Sequence, residues 1–195
     1  VTTTTLDRTA PTDVPVLDIL AARWSPRAYD ETATVDEGAL ARALEAARWS
    51  PSAYNSQPWR FIVARRGSEA FAGLSAALVE FNAAWATRAG VLIAAIAETE
   101  NEAGRANVTA QYDLGQAVAH LSVQAHHDGL FVHQMTGFDP AVVSERFSLA
   151  DRFRPFTLLA LGEAGDPEIL PDAMRERELA PRERRALAET VLVND

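Results

Sequence analysis

AARWSPRAYD, residues 21–30, is answered by AARWSPSAYN at residues 46–55. Repeats at such a spacing mark stacked units, which need three or more copies to bury a continuous core. Only two copies are present, and the text after them diverges, ETATVDEG against SQPWRFIV. Each copy follows an apolar, helix-like stretch, and the prolines at 26 and 51 oppose its continuation as helix. The copies therefore read as two helix ends that open into two different loops. What those loops hold is the functional question.

Outward from them, residues 14–22 predict a short helix. Residues 34–48 predict an amphipathic one, opened by a capping box of Thr34 with Glu37. RFIVAR (60–65) reads as a strand and residues 68–80 as helix. GVLIAAIAE (90–98) is apolar enough for a central strand. A long helix is expected from Val108 to Asp128, ended by Gly129. It is apolar over much of its circumference, which implies burial on two sides, one of them against another subunit. LFVHQM (130–135) and FTLLALG (156–162) are further strands. Between them Asp139 and Pro140 open a helix. The tail after Gly165 is rich in proline and charge, and is expected to wrap over a neighbour. The class is α+β, helices around a short mixed or antiparallel sheet: a disordered arm over 1–13, then one domain over 14–195.

Composition narrows the chemistry. The net charge of −9 argues against nucleic acid and anionic membranes as partners. No apolar run approaches a membrane span, and the first residues lack the pattern of a signal peptide, so a cytoplasmic location is expected. With no cysteine there is no disulfide, thiolate metal site or cysteine nucleophile. All 18 basic residues are arginine, which removes a lysine Schiff base and the phosphate-loop lysine. Any anion must be held by guanidinium forks, backbone N–H groups and hydroxyls. The histidines form no metal-ligand pattern, and neither GxSxG nor GxGxxG occurs.

In an extended loop Arg23, Ser25 and Arg27 would point one way and converge on an anion; the same letters also suit a solvated loop. PSAYNSQP (51–58) is a polar loop before a strand and offers hydrogen bonds to a heteroaromatic ligand, or it is a turn whose Trp59 and Tyr54 pack inward. In HQMTGFD (133–139), Gly137 would let the backbone approach a flat ligand, while Asp139 caps the next helix. PRERR (181–185) is a second arginine cluster, either a solvated face or the other half of one phosphate site.

Taken in order, RWSPRAYD, SPSAYNSQPWRFIVA, YDLGQAVAHLSVQAHHDGL, MTGFD and the C-terminal APRERRALAETV resemble the nitroreductase family of flavoproteins over residues 20–195. The resemblance implies a homodimeric α+β fold with FMN bound tightly at the subunit interface. It also implies NADH or NADPH as electron donor and a flat nitroaromatic, quinone or enone as acceptor, reduced by ping-pong hydride transfer. By the same resemblance Arg23, Ser25 and Arg27, with the backbone of Trp24, hold phosphate and ribityl groups. Arg182 and Arg184, with Arg185 as a register alternative, clasp the phosphate. Pro51, Ser52, Ala53, Asn55 and Gln57 reach the ring from the partner subunit. The backbone of Thr136 and Gly137 faces flavin N5, and Asn82 the pyrimidine edge. No catalytic acid or base is identifiable. Two departures stand out: Trp85 replaces a basic residue found in some members, and Thr136 replaces a glutamate. A flavin-binding carrier or sensor without turnover remains the alternative.

Overall fold

The computed structural model describes residues 6–194. In chain order its elements are α1 (Asp18–Ala22), α2 (Glu37–Arg48), β1 (Trp59–Arg65), α3 (Glu69–Ala76), α4 (Glu80–Ala86), β2 (Val91–Glu98), α5 (Ala110–His127), β3 (Phe131–Met135), α6 (Pro140–Arg146), β4 (Phe153–Gly162), α7 (Asp172–Leu179) and α8 (Leu187–Thr190). The sheet has the order β1-β2-β4-β3, every pair antiparallel.

β2 is apolar from Val91 to Ala97 because both of its faces are covered. Leu92, Ala94 and Ile96 face one core with Trp85, Leu74 and Leu158. Val91, Ile93, Ala95 and Ala97 face the other, built from α2, α5, Leu159 and Leu161. A register shift between Ala95 and Ile96 accommodates Pro155 of β4, which has no N–H for the ladder.

Several local expectations change. Asp36, not Thr34, caps α2, its carboxylate accepting the Ala39 N–H at 2.7 Å. The helix expected over 68–80 breaks after Ala76 and a second helix, α4, follows. The break serves tertiary pairing: the Val79 N–H donates to the Gly137 carbonyl at 3.1 Å, and Leu78 bridges Phe138. Asp139 caps α6 as expected, accepting from the Ala141 N–H at 2.8 Å. Gly129, with φ +83°, ends α5 as expected. The tail holds more structure than its composition suggests, since Leu170 and Met174 are buried against this chain's own core. Of the segment read as an arm, residues 1–5 lie outside the described residues. Within the rest, the Ala10 N–H donates to the Ala21 carbonyl at 2.9 Å, and the Arg8 guanidinium lies 5.3 Å from the centre of the Trp24 ring.

Candidate functional site

Burial alternates along the first loop: Trp24, Pro26 and Ala28 are inside, while Arg23, Ser25 and Arg27 are partly exposed. The alternation is that of an extended chain. Trp24 packs edge-on against Phe131, 5.9 Å between centroids. With the tryptophan anchored, Arg23 is directed into a cavity of about 800 Å³ that it shares with Arg182, Arg184 and Arg185. Chain ends separated by more than 150 residues thus meet around one space. Asp13 and Glu183 also line it, and Val14, Val16, Leu20 and Leu187 form its apolar wall.

The arginines of the cluster form no ion pair with the carboxylates beside them. Among the described residues, neither Arg8, Arg23, Arg182, Arg184 nor Arg185 has a carboxylate within 4.0 Å. Burial, and then the charge of Arg184, lowers the Arg23 pKa. Burial lowers that of Arg182, with further repulsion from Arg23, Arg184 and Arg8. His126 on α5 is lowered by burial and by the same Arg23 and Arg182. The region therefore carries a positive potential that an anion would relieve.

The arginines are not equivalent. Arg182 donates from Nη1 to the carbonyls of Ala21 (2.7 Å) and Arg8 (2.5 Å), so that one nitrogen of its fork is committed to the protein. Arg23 has one long contact, to Ser25 Oγ at 3.4 Å, and Arg184 donates to its neighbour Glu183 O. Arg27 does not reach the cavity. Its guanidinium rests 5.9 Å from the Trp85 ring centre and 3.9 Å from Glu178, and its buried Nε has no partner.

The 51–57 loop is strained: Tyr54, Asn55 and Gln57 adopt φ of +54°, +54° and +47°. Ser52 holds it, its Oγ accepting the Gln57 N–H at 3.0 Å and its carbonyl the Asn55 N–H at 3.0 Å. The buried Asp113 of α5 accepts the Ala53 N–H at 3.2 Å. Trp59 is buried as expected, but Tyr54 is fully exposed, and Trp49, Tyr112 and Val108 near it are also exposed. This loop sits at the first turn of α5, whereas Arg23 and Arg182 act on His126 in its last turn. Within one chain the two are therefore separated by on the order of 20 Å along the helix.

Gly137 gives its smallness to the protein itself. A Cβ there would stand 2.4 Å from Asn82 Nδ2, which donates to the Gly137 carbonyl at 3.0 Å. Asn82 is thereby buried under the turn. Thr136 instead lines a cleft of about 220 Å³ with Gly115 and Val118 of α5, Gln134 and Phe156. This cleft lies beside the first half of α5. Trp85, one turn after Asn82, is fully buried between Tyr29 (6.3 Å) and His133 (4.5 Å between ring centroids).

Residues 20–163 match the description "Nitroreductase family". The chain belongs to the nitroreductase family. A solved structure described as an oxidoreductase containing FMN superposes with a TM-score of 0.89, at 34% identity over 96% of each chain. A 15.4 kDa protein from the ask 5' region of Mycolicibacterium smegmatis is 38% identical, covering 66% of this chain and 90% of its own. YdgI of Bacillus subtilis (strain 168), named as a candidate NAD(P)H nitroreductase, is 27% identical over 77% of this chain and 88% of its own. The antiparallel sheet with helices on both faces is this family's fold, as the motif order implied. Among the described residues no helix is long and apolar enough to cross a membrane, and no group of side chains could hold a metal ion.

Asp113, Glu178 and Arg8 carry no signal strong enough to single them out in the sequence. Each is one charged letter whose partners lie far along the chain. His133 is a fourth such residue. Its Nδ1 lies 2.8 Å from the Pro26 carbonyl, and burial, with the Arg27 charge in support, pulls its pKa down to about 4. In the unfolded chain the ring titrates near 6.5. Between those values the unfolded state binds the extra proton, so acidification favours unfolding. His133 stability is present above about pH 6.5 and is lost as pH falls toward 4. Denaturant titrations of wild type and His133→Phe over pH 4–7 should show a steeper loss in the wild type, by up to about 3 kcal/mol. Parallel profiles would mean that the ring is not buried neutral.

Proposed function

We propose that this member of the nitroreductase family is an FMN-dependent oxidoreductase. It takes electrons from NADH or NADPH and delivers them to a flat, electron-poor small molecule such as a nitroaromatic, quinone or enone. The observation that carries the reading is the gathering of Arg23 with Arg182, Arg184 and Arg185 on one cavity without paired carboxylates. A phosphate ester at neutral pH is a dianion with acceptor oxygens, the ligand such a cluster lacks. The orphaned Nε of Arg8 next to the same cluster agrees. The FMN-containing relative at 34% identity supports the choice of phosphate ester.

FMN, when bound, would supply hydride-transfer chemistry between the nicotinamide and the acceptor. The chain's own residues bind and orient. Arg23, Arg184 and Arg185, whose guanidinium groups make few bonds to the protein, grip the phosphate. Arg182 shapes the floor beneath it, and Ser25 steadies Arg23. The backbone at Thr136 stands beside the cleft along α5, where it can present N–H groups to a ring. Pro51, Ser52, Ala53, Asn55 and Gln57 lie too far along α5 to serve the clamp of their own chain. We infer that they complete the site of a second copy, with the exposed Trp49, Tyr54 and Tyr112 covered in a homodimer. No side chain is needed as acid or base, since water can protonate the product.

Absorption spectra of the purified protein, recorded before and after anaerobic addition of NADH or NADPH, test the reading. A flavin spectrum that bleaches within seconds with at least one donor is expected. Colourless protein that takes up no added FMN would sink it. A flavin that neither donor reduces would leave a carrier.

A further inference from the structure

The proposal concerns Glu178, which the arginine clamp does not use and which rests on the FMN reading only for its ligand. Its side chain is 1% exposed, on a helix whose other buried residue is Met174. A carboxylate is not left in such surroundings unless its oxygens are satisfied. Here Oε1 accepts two successive backbone N–H groups, Arg27 at 2.7 Å and Ala28 at 3.1 Å. Oε2 faces Arg27 Nη1 at 3.9 Å. Four residues further along the tail, beyond the end of α7, Arg182 donates to the Ala21 carbonyl at 2.7 Å. The C-terminal segment thus grips both ends of residues 21–28. A base takes the carbonyl at one end, and an acid takes the N–H groups at the other. Between these two grips lies Arg23, whose fork stays free for an outside anion. We propose that Glu178 is a positioning residue: by fixing the backbone at 27–28 it holds the 23–27 loop in the form that presents Arg23 to the phosphate.

The consequence is a dependence of phosphate-end affinity on a carboxylate that never touches the ligand. Glu178 adds only negative charge to the protein, so without a positioning role its removal would leave FMN binding unchanged or tighter.

The test uses full-length protein stripped of flavin, with Glu178→Leu, Glu178→Asp and Glu178→Gln. Titrations with FMN and with riboflavin, which lacks the phosphate, are set beside amide hydrogen exchange at Arg27 and Ala28. Glu178→Leu should weaken FMN tenfold or more and riboflavin little, with faster exchange at both amides. Glu178→Asp, which withdraws the oxygens by one methylene and keeps the charge, should move in the same direction. It carries the test if the leucine variant does not fold. Glu178→Gln, which keeps an acceptor oxygen, should recover most of the affinity. Unchanged exchange at Arg27 and Ala28, tighter FMN, or equal loss for FMN and riboflavin would each overturn the proposal. If the wild type takes up no FMN, the flavin reading fails separately, and the exchange measurement alone decides whether Glu178 holds the loop.

Discussion

Arg23→Ala should bind FMN about 10- to 150-fold more weakly than wild type, the loss of one hydrogen-bonding charged group worth ~1.5–3 kcal/mol. The side chain enters the shared cavity, and among the described residues its only side-chain hydrogen bond is the long one to Ser25 Oγ. Little inside the protein would therefore be broken by its removal. The flavin-free variant should even match or exceed wild type in thermal stability, because burial and Arg184 both disfavour the Arg23 charge. Weaker ligand binding with undiminished stability is the signature of a residue kept for a ligand rather than for the fold. Arg65→Ala is the control, since Arg65 is exposed at the end of β1 and paired with Glu37. Fluorescence titration with FMN reads the affinity and a melting curve reads the stability. Equal loss of affinity in both variants would show that the clamp is misassigned.

Trp85→Ala should lower the unfolding free energy by about 3–5 kcal/mol, the range for deleting a large buried aromatic. Against a total of roughly 5–15 kcal/mol this is a large share. For a chain of this size it corresponds to a fall in Tm on the order of 10 °C. The ring is fully buried, lies nearly parallel to Tyr29 and meets His133 at 4.5 Å. Arg27 rests near its other surroundings, so the cavity left behind would also strip that guanidinium of its aromatic neighbour. Trp85→Phe should cost much less, because the indole N–H is buried without a partner and its loss breaks no hydrogen bond. Trp85→Lys, the kind of residue some relatives carry, should do no better than alanine, since it would bury a second cation beside Arg27. Denaturant titration checks all three. A loss under 1 kcal/mol for Trp85→Ala would contradict the packing described.

Trp85 also marks where the sequence stops being informative. As a letter it was a departure from a pattern; as a packed ring it is the pivot between Tyr29, His133 and Arg27. Gly137 is similar. Its need for glycine was legible, but the neighbour that imposes it is Asn82. The break at residues 77–79 was invisible, because the apolar run reads as continuous helix until Val79 and Leu78 find partners at 137–138. Arg27 shared its spacing with Arg23 and Ser25, yet it is turned to Glu178.

By itself the sequence determined the four strands and most of the helices between them, the doubly buried β2, the long α5 and the dependence on arginine for any anion. These follow from periodicity, caps and composition, which are properties of neighbouring residues and survive in one dimension. The motif order also placed the chain in its family. Only the tertiary structure decided that Arg23 meets Arg182, Arg184 and Arg185, that one nitrogen of Arg182 is tied to backbone carbonyls, and that Glu178 holds the loop between them. Those contacts join residues some 150 positions apart. A single charged side chain with a distant partner leaves no periodic trace, so its role exists only once the chain has closed on itself.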